Sequence, residues 1–370
     1  MSIYRIITTG ALSLLVTFAV ISCKKDKESA PGVPVITRVA QPLELSANLK
    51  EGNLNDWLII YGMNLSTAQQ VTFNNEVVER NDFYAVDSMI SVKIPRRIPS
   101  AVNNKIEVTT KGGVASYDFT INIPVLALQG MYNEYTAIGD TLVLVGKNFD
   151  LYDVNETEGE VTFAGNVKAP IVEASADAIK VVVPPGAQVG KVTINSPKLS
   201  APLSTDGYFR DDRNLFFPLT PYPDDEIYGG WMASSGPVPA PINGNYYHVV
   251  QNWDANYQWL TLFSVPRHLG VVGATDNYVL KFEVNALKPI RNMQATFYLD
   301  YGPAYQWKPF EETGTGSFTT NGKWKTVTIP MKQLKNPIED RAYVWQITFD
   351  GHGPDDYDVS FCNFRIVPAK

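Results

Sequence analysis

Four short segments recur in the same order along this chain, and that repetition limits the fold more than any other feature. Leu58-Ile59-Ile60-Tyr61-Gly62-Met63-Asn64-Leu65 returns 84 positions later as Leu142-Val143-Leu144-Val145-Gly146-Lys147-Asn148-Phe149. Val71-Thr72-Phe73 returns as Val161-Thr162-Phe163, Val92-Lys93-Ile94-Pro95 as Val181-Val182-Val183-Pro184, and Lys105-Ile106-Glu107-Val108 as Lys191-Val192-Thr193-Ile194. Runs rich in Val, Ile and Thr, broken by Gly, Asn and Pro, are the pattern of short antiparallel strands joined by tight turns. Within Gly-x-Asn the glycine permits positive φ and Asn tolerates the left-handed region, so the motif predicts a sharp corner after its strand. The second copy carries extra residues at 151–159 between two matched strands, where a loop insertion is tolerated.

A strand ending in Gly-x-Asn and an aliphatic or aromatic residue, a Val-x-Phe strand, and a strand closed by proline resemble the TIG/IPT variety of immunoglobulin-like domain over both repeats. The chain therefore reads as all-β, with tandem Ig-like (TIG/IPT) β-sandwiches at 34–123 and 124–206 and a larger jelly-roll-like β-sandwich at 207–370. Trp57 is the one tryptophan before Trp231 and the tyrosines nearby are scattered. Spacers are the reading that fits the repeats, a protein-contact surface on either module being the other.

The texture changes at 206–217, where Asp206, Arg210, Asp211, Asp212 and Arg213 cluster ahead of Leu215-Phe216-Phe217 and Pro218, Pro221 and Pro223 follow. Prolines there limit flexing at a domain boundary. From Gly207 onward lie six of the seven tryptophans and twelve of the nineteen tyrosines, although that segment is under half of the chain. Five runs alternate apolar and polar residues as half-buried strands do: 278–284, 294–300, 323–330, 343–349 and 359–367. No window carries a helical stripe. Gly322 to Pro330 and Asn363 to Val367 resemble strands of the jelly-roll sandwiches common among carbohydrate-binding modules.

Trp324 and Trp345 stand within these alternating strands and read as core, as does the thiol of Cys362 inside an apolar run. Trp231, Trp253, Trp259 and Trp307 sit among glycine, proline and polar residues. With Tyr257 and Tyr305 they form the candidate binding surface, and at least two of the four indoles are expected in water. An aromatic ring laid against the axial C–H face of a pyranose removes apolar area from water, and each stack contributes roughly 0.5–1.5 kcal/mol beyond area burial. Asp300, Gln306 and Lys308 are the candidate partners for the sugar hydroxyls. The stretch 301–318 is expected to be a loop presenting its rings to a ligand.

At the N-terminus, Arg5 and the apolar stretch from Ala11 to Ile21 read as a signal peptide over 1–22, too short for a stable span. Val20-Ile21-Ser22-Cys23 resembles the lipobox of bacterial lipoproteins, which makes Cys23 the lipidation site and 23–33 a charged, then turn-forming tether. Lys24-Lys25-Asp26-Lys27-Glu28 resembles the surface-export signal of Bacteroidetes-type lipoproteins.

A formal net charge of -7 argues against nucleic acid as partner, because phosphate binding needs clustered Lys and Arg. His248, His268 and His352 show no metal-ligand spacing, and neither metal nor cofactor is expected. The oxygen-rich segment 350–358 lacks a calcium-loop rhythm and reads as a solvated turn. Glycoside hydrolysis needs two carboxylates held across a cleft; Asp300 with Glu311 and Asp350 with Asp355 are candidate pairs, but solvated loop acids are the expectation and no enzyme is assigned.

Taken together, the lipobox, the tandem TIG-like repeats, the Tyr208-Phe209-Arg210-Asp211-Asp212-Arg213-Asn214-Leu215 junction and the aromatic terminus resemble the surface glycan-binding lipoproteins of Sus-like polysaccharide utilisation systems. The resemblance implies an outer-membrane, lipid-anchored protein facing the exterior. It implies that the C-terminal domain binds a polysaccharide, often a β-glucan such as xyloglucan, mixed-linkage glucan or laminarin. A SusD-like protein and a TonB-dependent transporter are the implied partners. Adhesion to another protein through the same aromatics is the competing class.

Overall fold

The repeated strand pattern folds twice into the same sheet order. The computed structural model describes residues 30–217, 232–233 and 238–370, so Cys23 and Trp231 lie outside the described residues. Contacts divide the chain into two units, Met1–Asn122 and Ile123–Lys370. In the first, Val35–Ala40, Trp57–Met63, Met89–Lys93 and Phe83–Val86 pair in that order to make one sheet. Glu76–Glu79, Ala68–Phe73, Lys105–Thr110 and Gly113–Asp118 make the other.

The second unit opens with the equivalent sandwich. Ala127–Met131, Thr141–Lys147, Ala178–Val182 and Ile171–Ala174 correspond to the first sheet. Val167–Ala169, Glu160–Ala164, Gln188–Asn195 and Leu203–Ser204 correspond to the second. The inserted residues of this copy are not a bare loop, because Leu151 and Val154 are buried.

The repeated Gly-x-Asn corner has the same physical origin in both copies, and it corrects the expectation that the glycine supplies positive φ. Only the asparagines are left-handed, Asn64 at φ 58° and Asn148 at φ 66°. Each asparagine amide donates to the backbone just before the first strand, Asn64 Nδ2 to Val33 O at 2.8 Å and Asn148 Nδ2 to Val125 O at 3.0 Å. The glycines are required by close approach: a Cβ on Gly62 would collide with the Val35 carbonyl oxygen, and one on Gly146 with that of Ala127. The first sandwich also departs from expectation. Trp57 and Tyr84, distant in sequence, stand exposed on the same face of one sheet, because the register pairs Trp57 with Lys93 and Tyr84 with Ser91.

From 215 onward a larger antiparallel sandwich follows. One sheet is built on the long strand Asp355–Pro368, flanked by Tyr246–Trp253 and Tyr278–Ala286, with Lys325–Pro330 beyond the latter. The opposing sheet is four-stranded: Tyr257–Arg267, Tyr343–His352, Gln294–Leu299 and Gly302–Trp307. Between them lies one apolar core.

Two candidate surface indoles belong to that core. Trp307 ends the edge strand Gly302–Trp307, in a stretch expected to be an aromatic loop. In register opposite Ala295, it faces inward and is 0 % exposed, packed edge-on against Phe282 at 5.4 Å and Phe318 at 5.6 Å between ring centroids. Trp253 ends the strand Tyr246–Trp253, is 4 % exposed, and meets the Tyr357 ring edge-on at 5.0 Å. Trp324, Trp345 and Cys362 are also buried there.

Second and third sandwiches are joined by buried charge. Glu134 accepts from Lys281 Nζ through Oε1 and from Arg365 Nη2 through Oε2, the latter at 2.7 Å. Arg365 makes a two-pronged pair with Glu283, Nη2 to Oε1 at 2.9 Å and Nη1 to Oε2 at 3.0 Å. Thr326 Oγ1 donates to Glu283 Oε1 at 2.9 Å and accepts from the Glu134 N–H at 2.9 Å. All four charged residues are buried, and two cations face two anions. The junction residues add to the joint: Asp211, itself buried, pairs with Arg213 at 2.8 Å, and Phe209 packs edge-on against Phe163 within the second sandwich.

Removing one member of a buried ion cluster leaves its partner charged and unsolvated, at a cost of about 3–5 kcal/mol. Glu134→Ala is expected to lower the stability of the second unit by that order in urea unfolding. Lys168→Ala, at the exposed Lys168–Glu160 pair, is expected to cost less than about 1 kcal/mol. Trp307→Ala is expected to cost roughly 3–5 kcal/mol as a core truncation, read as a lowered thermal midpoint; an unchanged midpoint would place this indole in water.

Candidate functional site

The outer face of the four-stranded sheet holds the aromatics that the core does not claim. Successive side chains of a strand point to opposite faces, and the register sorts them into rows. Leu260, Phe349, Ala295 and Trp307 form an inner row, and Phe263, Ile347, Phe297 and Tyr305 the next. Tyr305 is therefore on the core side of the sheet, half-buried and stacked on Phe297 at 6.4 Å between centroids. This corrects its expected place on the binding surface. A bulge between Thr261 and Phe263 turns both Leu262 and Phe263 inward.

The outer rows are Thr261, Thr348, Thr296 and Gln306; then Trp259, Asp350 and Gln294; then Tyr257 with His352. Trp259 is 65 % exposed and Tyr257 52 % exposed. They stay outside while Trp253 is buried because the turn 254–256 carries the chain from one sheet to the other. That turn is fixed by the Asn256 N–H donating to Asp254 Oδ1 at 2.8 Å, which holds the Asp254 carboxyl below its usual range.

A third exposed ring comes from the hairpin between Gln294–Leu299 and Gly302–Trp307. Leu299 pairs with Gly302, leaving Asp300 and Tyr301 as a two-residue loop with φ of 55° and 63°. Positive φ at both central residues is the type I′ turn that matches strand twist. A tyrosine held left-handed costs on the order of 1–3 kcal/mol, and such strain collects at functional sites. Here it sets Tyr301 outward, 71 % exposed. Asp300 anchors the turn by accepting from Arg341 Nη2 at 2.6 Å and from the Val344 N–H at 3.1 Å. Its carboxyl is held below the usual range by Arg341. Both oxygens are thus engaged by protein donors, which makes Asp300 a support for Tyr301 and not the free hydroxyl partner expected from its position.

Two hollows lie side by side on this face with Tyr257 shared between them. The first, about 360 Å³, is walled by Tyr257, Trp259, Tyr298 and Tyr301 over a floor of Thr261, Gln346 and Thr348. The second, about 390 Å³, is polar: Asn292, Gln294, Gln306, Lys308, Asp350 and His352 line it with Tyr257 and Phe310. Desolvation and, second to it, the Asp350 charge push the Tyr257 and Tyr298 hydroxyls above their usual range, so both remain neutral donors and acceptors at physiological pH. The Tyr257 ring packs on His352 at 4.7 Å between centroids.

Of the residues expected to form the site, Tyr257, Trp259, Gln306 and Lys308 come together here. Trp253, Trp307 and Tyr305 do not, and Asp300 contributes indirectly. Sequence reasoning covered Tyr301 only as part of the 301–318 stretch, and it missed Tyr298, Gln294, Asp350 and His352 as members of the site. The available signal was alternation: each occupies the polar phase of a strand or the hairpin at its end.

The oxygen-rich segment is used structurally. Asp355 Oδ2 accepts three backbone N–H bonds, from Arg291, Asn292 and Met293 at 3.0, 2.8 and 2.7 Å. Asp356 pairs with Lys288 and Asp358 with His248, at 2.7 and 2.8 Å.

Residues 209–368 match the family described as surface glycan-binding protein B xyloglucan binding domain. An IPT/TIG domain-containing protein of Bacteroides ovatus is 27% identical over 160 residues, which make up 40% of this chain and 32% of that relative, so the match spans about a third of the relative's length. A solved SGBP-B from a complex xyloglucan utilization locus in Bacteroides uniformis superposes with a TM-score of 0.52 at 19% identity, covering 91% of this chain and 99% of that one. The chain thus shares the fold of a surface glycan-binding protein of the B type, and its third sandwich is the part that matches the glycan-binding domain of that family.

Proposed function

We propose that this protein captures a neutral polysaccharide, of the β-glucan class that includes xyloglucan, mixed-linkage glucan and laminarin, on the outer face of the four-stranded sheet. The observation that carries the reading is the joint exposure of Trp259, Tyr257 and Tyr301 around one hollow, on the domain that matches a xyloglucan-binding family. Sugar faces stack on these rings, and the second hollow offers polar groups to hydroxyls. The face has little free charge to recruit an acidic glycan: Arg341 is engaged with Asp300 and Glu339, and Lys308 lies 3.5 Å from Glu311. Two or three stacks, less the cost of ordering a flexible chain, correspond to dissociation constants of roughly micromolar to millimolar.

Capture without cleavage is part of the proposal. Asp300 and Asp350 each have both carboxylate oxygens in hydrogen bonds to protein donors, and Asp355 is buried against backbone amides, which leaves these acids poorly placed to transfer a proton to a glycosidic oxygen. The lipobox-like Cys23 would hold the protein to the outer membrane, with the two TIG-like sandwiches as spacers and a SusD-like protein and its transporter as the receivers of the glycan.

Affinity gels and calorimetry with soluble xyloglucan, mixed-linkage glucan and laminarin test the reading on the chain from residue 24 onward. Retardation by at least one glucan is expected, weakened at least about tenfold, near 1.4 kcal/mol, by Trp259→Ala. Tyr257→Ala is expected to act in the same direction, and both variants should melt as the parent does. No response to any of the three, with capture of a protein ligand instead, would overturn it in favour of adhesion.

A further inference from the structure

Asp350 occupies an unusual place on the binding face. It lies in the outer row between Trp259 and Gln294, yet it is buried. Its Oδ1 accepts from Gln294 Nε2 at 2.5 Å and its Oδ2 from Thr296 Oγ1 at 2.6 Å. A carboxylate only accepts hydrogen bonds, whereas a glutamine amide presents a donor on one side and an acceptor on the other. Asp350 therefore settles which way the Gln294 amide faces. Its nitrogen is tied to the carboxylate, its Oε1 is turned away from it, and among the described residues none donates to that oxygen. Gln294 lines the polar hollow.

Resting on the capture reading above, we propose that the polar hollow is a hydroxyl-reading subsite in which Gln294 Oε1 accepts a hydrogen bond from a neutral sugar, and that Asp350 is the positioning residue that fixes this sense. Trp259 and Gln294 flank Asp350 across two strand spacings, about 9–10 Å in all. One sugar ring lying over Asp350 reaches the indole with its apolar face and the amide with a hydroxyl. The buried carboxylate disfavours a uronic acid at the same position, since two like charges at close range repel. The subsite thus selects for an uncharged residue with a hydroxyl directed at Gln294.

The test uses the chain from residue 24 onward and soluble xyloglucan as probe, with Trp259→Ala alongside. Gln294→Ala is expected to weaken binding at least about tenfold and Asp350→Asn to do the same. The double variant is expected to lose no more than Gln294→Ala alone, because Asp350 acts only through that amide; full additivity would assign Asp350 a structural role and overturn the proposal. Gln294→Glu gives a reading that does not depend on the folding of the Asp350 variant. At neutral pH it sets two carboxylates against each other and is expected to bind weakly. As pH falls and the pair takes up one proton, a donor to Asp350 and an outward acceptor are restored, so its affinity is expected to recover relative to the parent. A flat ratio across pH, or parent-like binding by Gln294→Ala, overturns the inference. If Trp259→Ala leaves binding intact, the capture reading itself falls; if it abolishes binding while the Gln294 variants bind normally, only the subsite is lost.

Discussion

The two-residue period of a β-strand is the constraint on which the exposed aromatic face depends. A sheet that closes one side of a core must turn every second residue inward, and in the third sandwich that side takes Trp307, Trp345, Phe297, Phe349 and Phe263. The remaining residues have no core to join. What they present to water is then set by which large rings fall on the other phase: Trp259 and Tyr257 on one strand, Tyr298 on another, and Tyr301 at a hairpin where the period ends. The inner phase supplies the apolar packing that holds the sheet rigid, and this rigidity lets exposed rings keep their positions without a ligand.

A second constraint is the burial of charge. Glu134, Lys281, Glu283 and Arg365 are removed from water together, so each is tolerable only while the others are present. Burial raises the Glu283 carboxyl, an effect opposed by Arg365. Desolvation offsets much of the attraction within such a cluster, and its bonds run between neighbouring sandwiches, from Glu134 on one to Lys281 and Arg365 on the other. Other hydrogen bonds alongside it, the backbone Thr326 N–H to Tyr132 O at 2.9 Å and the Tyr135 hydroxyl to Asp211 O at 2.6 Å, serve the same join.

The repeats were legible because each strand run and each Gly-x-Asn corner is a local signal, repeated in order. Even there the sequence told which residues mark the corner and not why: the glycine answers to a carbonyl on a strand 27 positions earlier in one copy, Gly62 against Val35, a contact no local rule contains. The candidate site was half legible. Trp259 and Tyr257 follow a polar turn and are exposed, as their neighbours suggested. Trp307 misled because Gly302 and Pro303 look like turn formers, whereas the turn proper is Asp300-Tyr301 and the strand begins directly after it. Trp253 misled because it precedes the polar turn that Trp259 follows at a short remove, and the switch between sheets reverses which side is inside. Asp350 and Gln294 are 56 positions apart, so their pairing required the fold.

The ion cluster also bears on how such proteins are shuffled over evolutionary time. The first sandwich carries its own buried core, and its corner closes on the chain just before its own first strand. The terminal sandwich cannot travel by itself in the same way, because its two interior cations are balanced partly by an acid encoded in the preceding module. The smallest cassette that moves with its buried charges balanced is therefore a pair, and an exchange of the terminal sandwich is expected to bring the preceding one along with it.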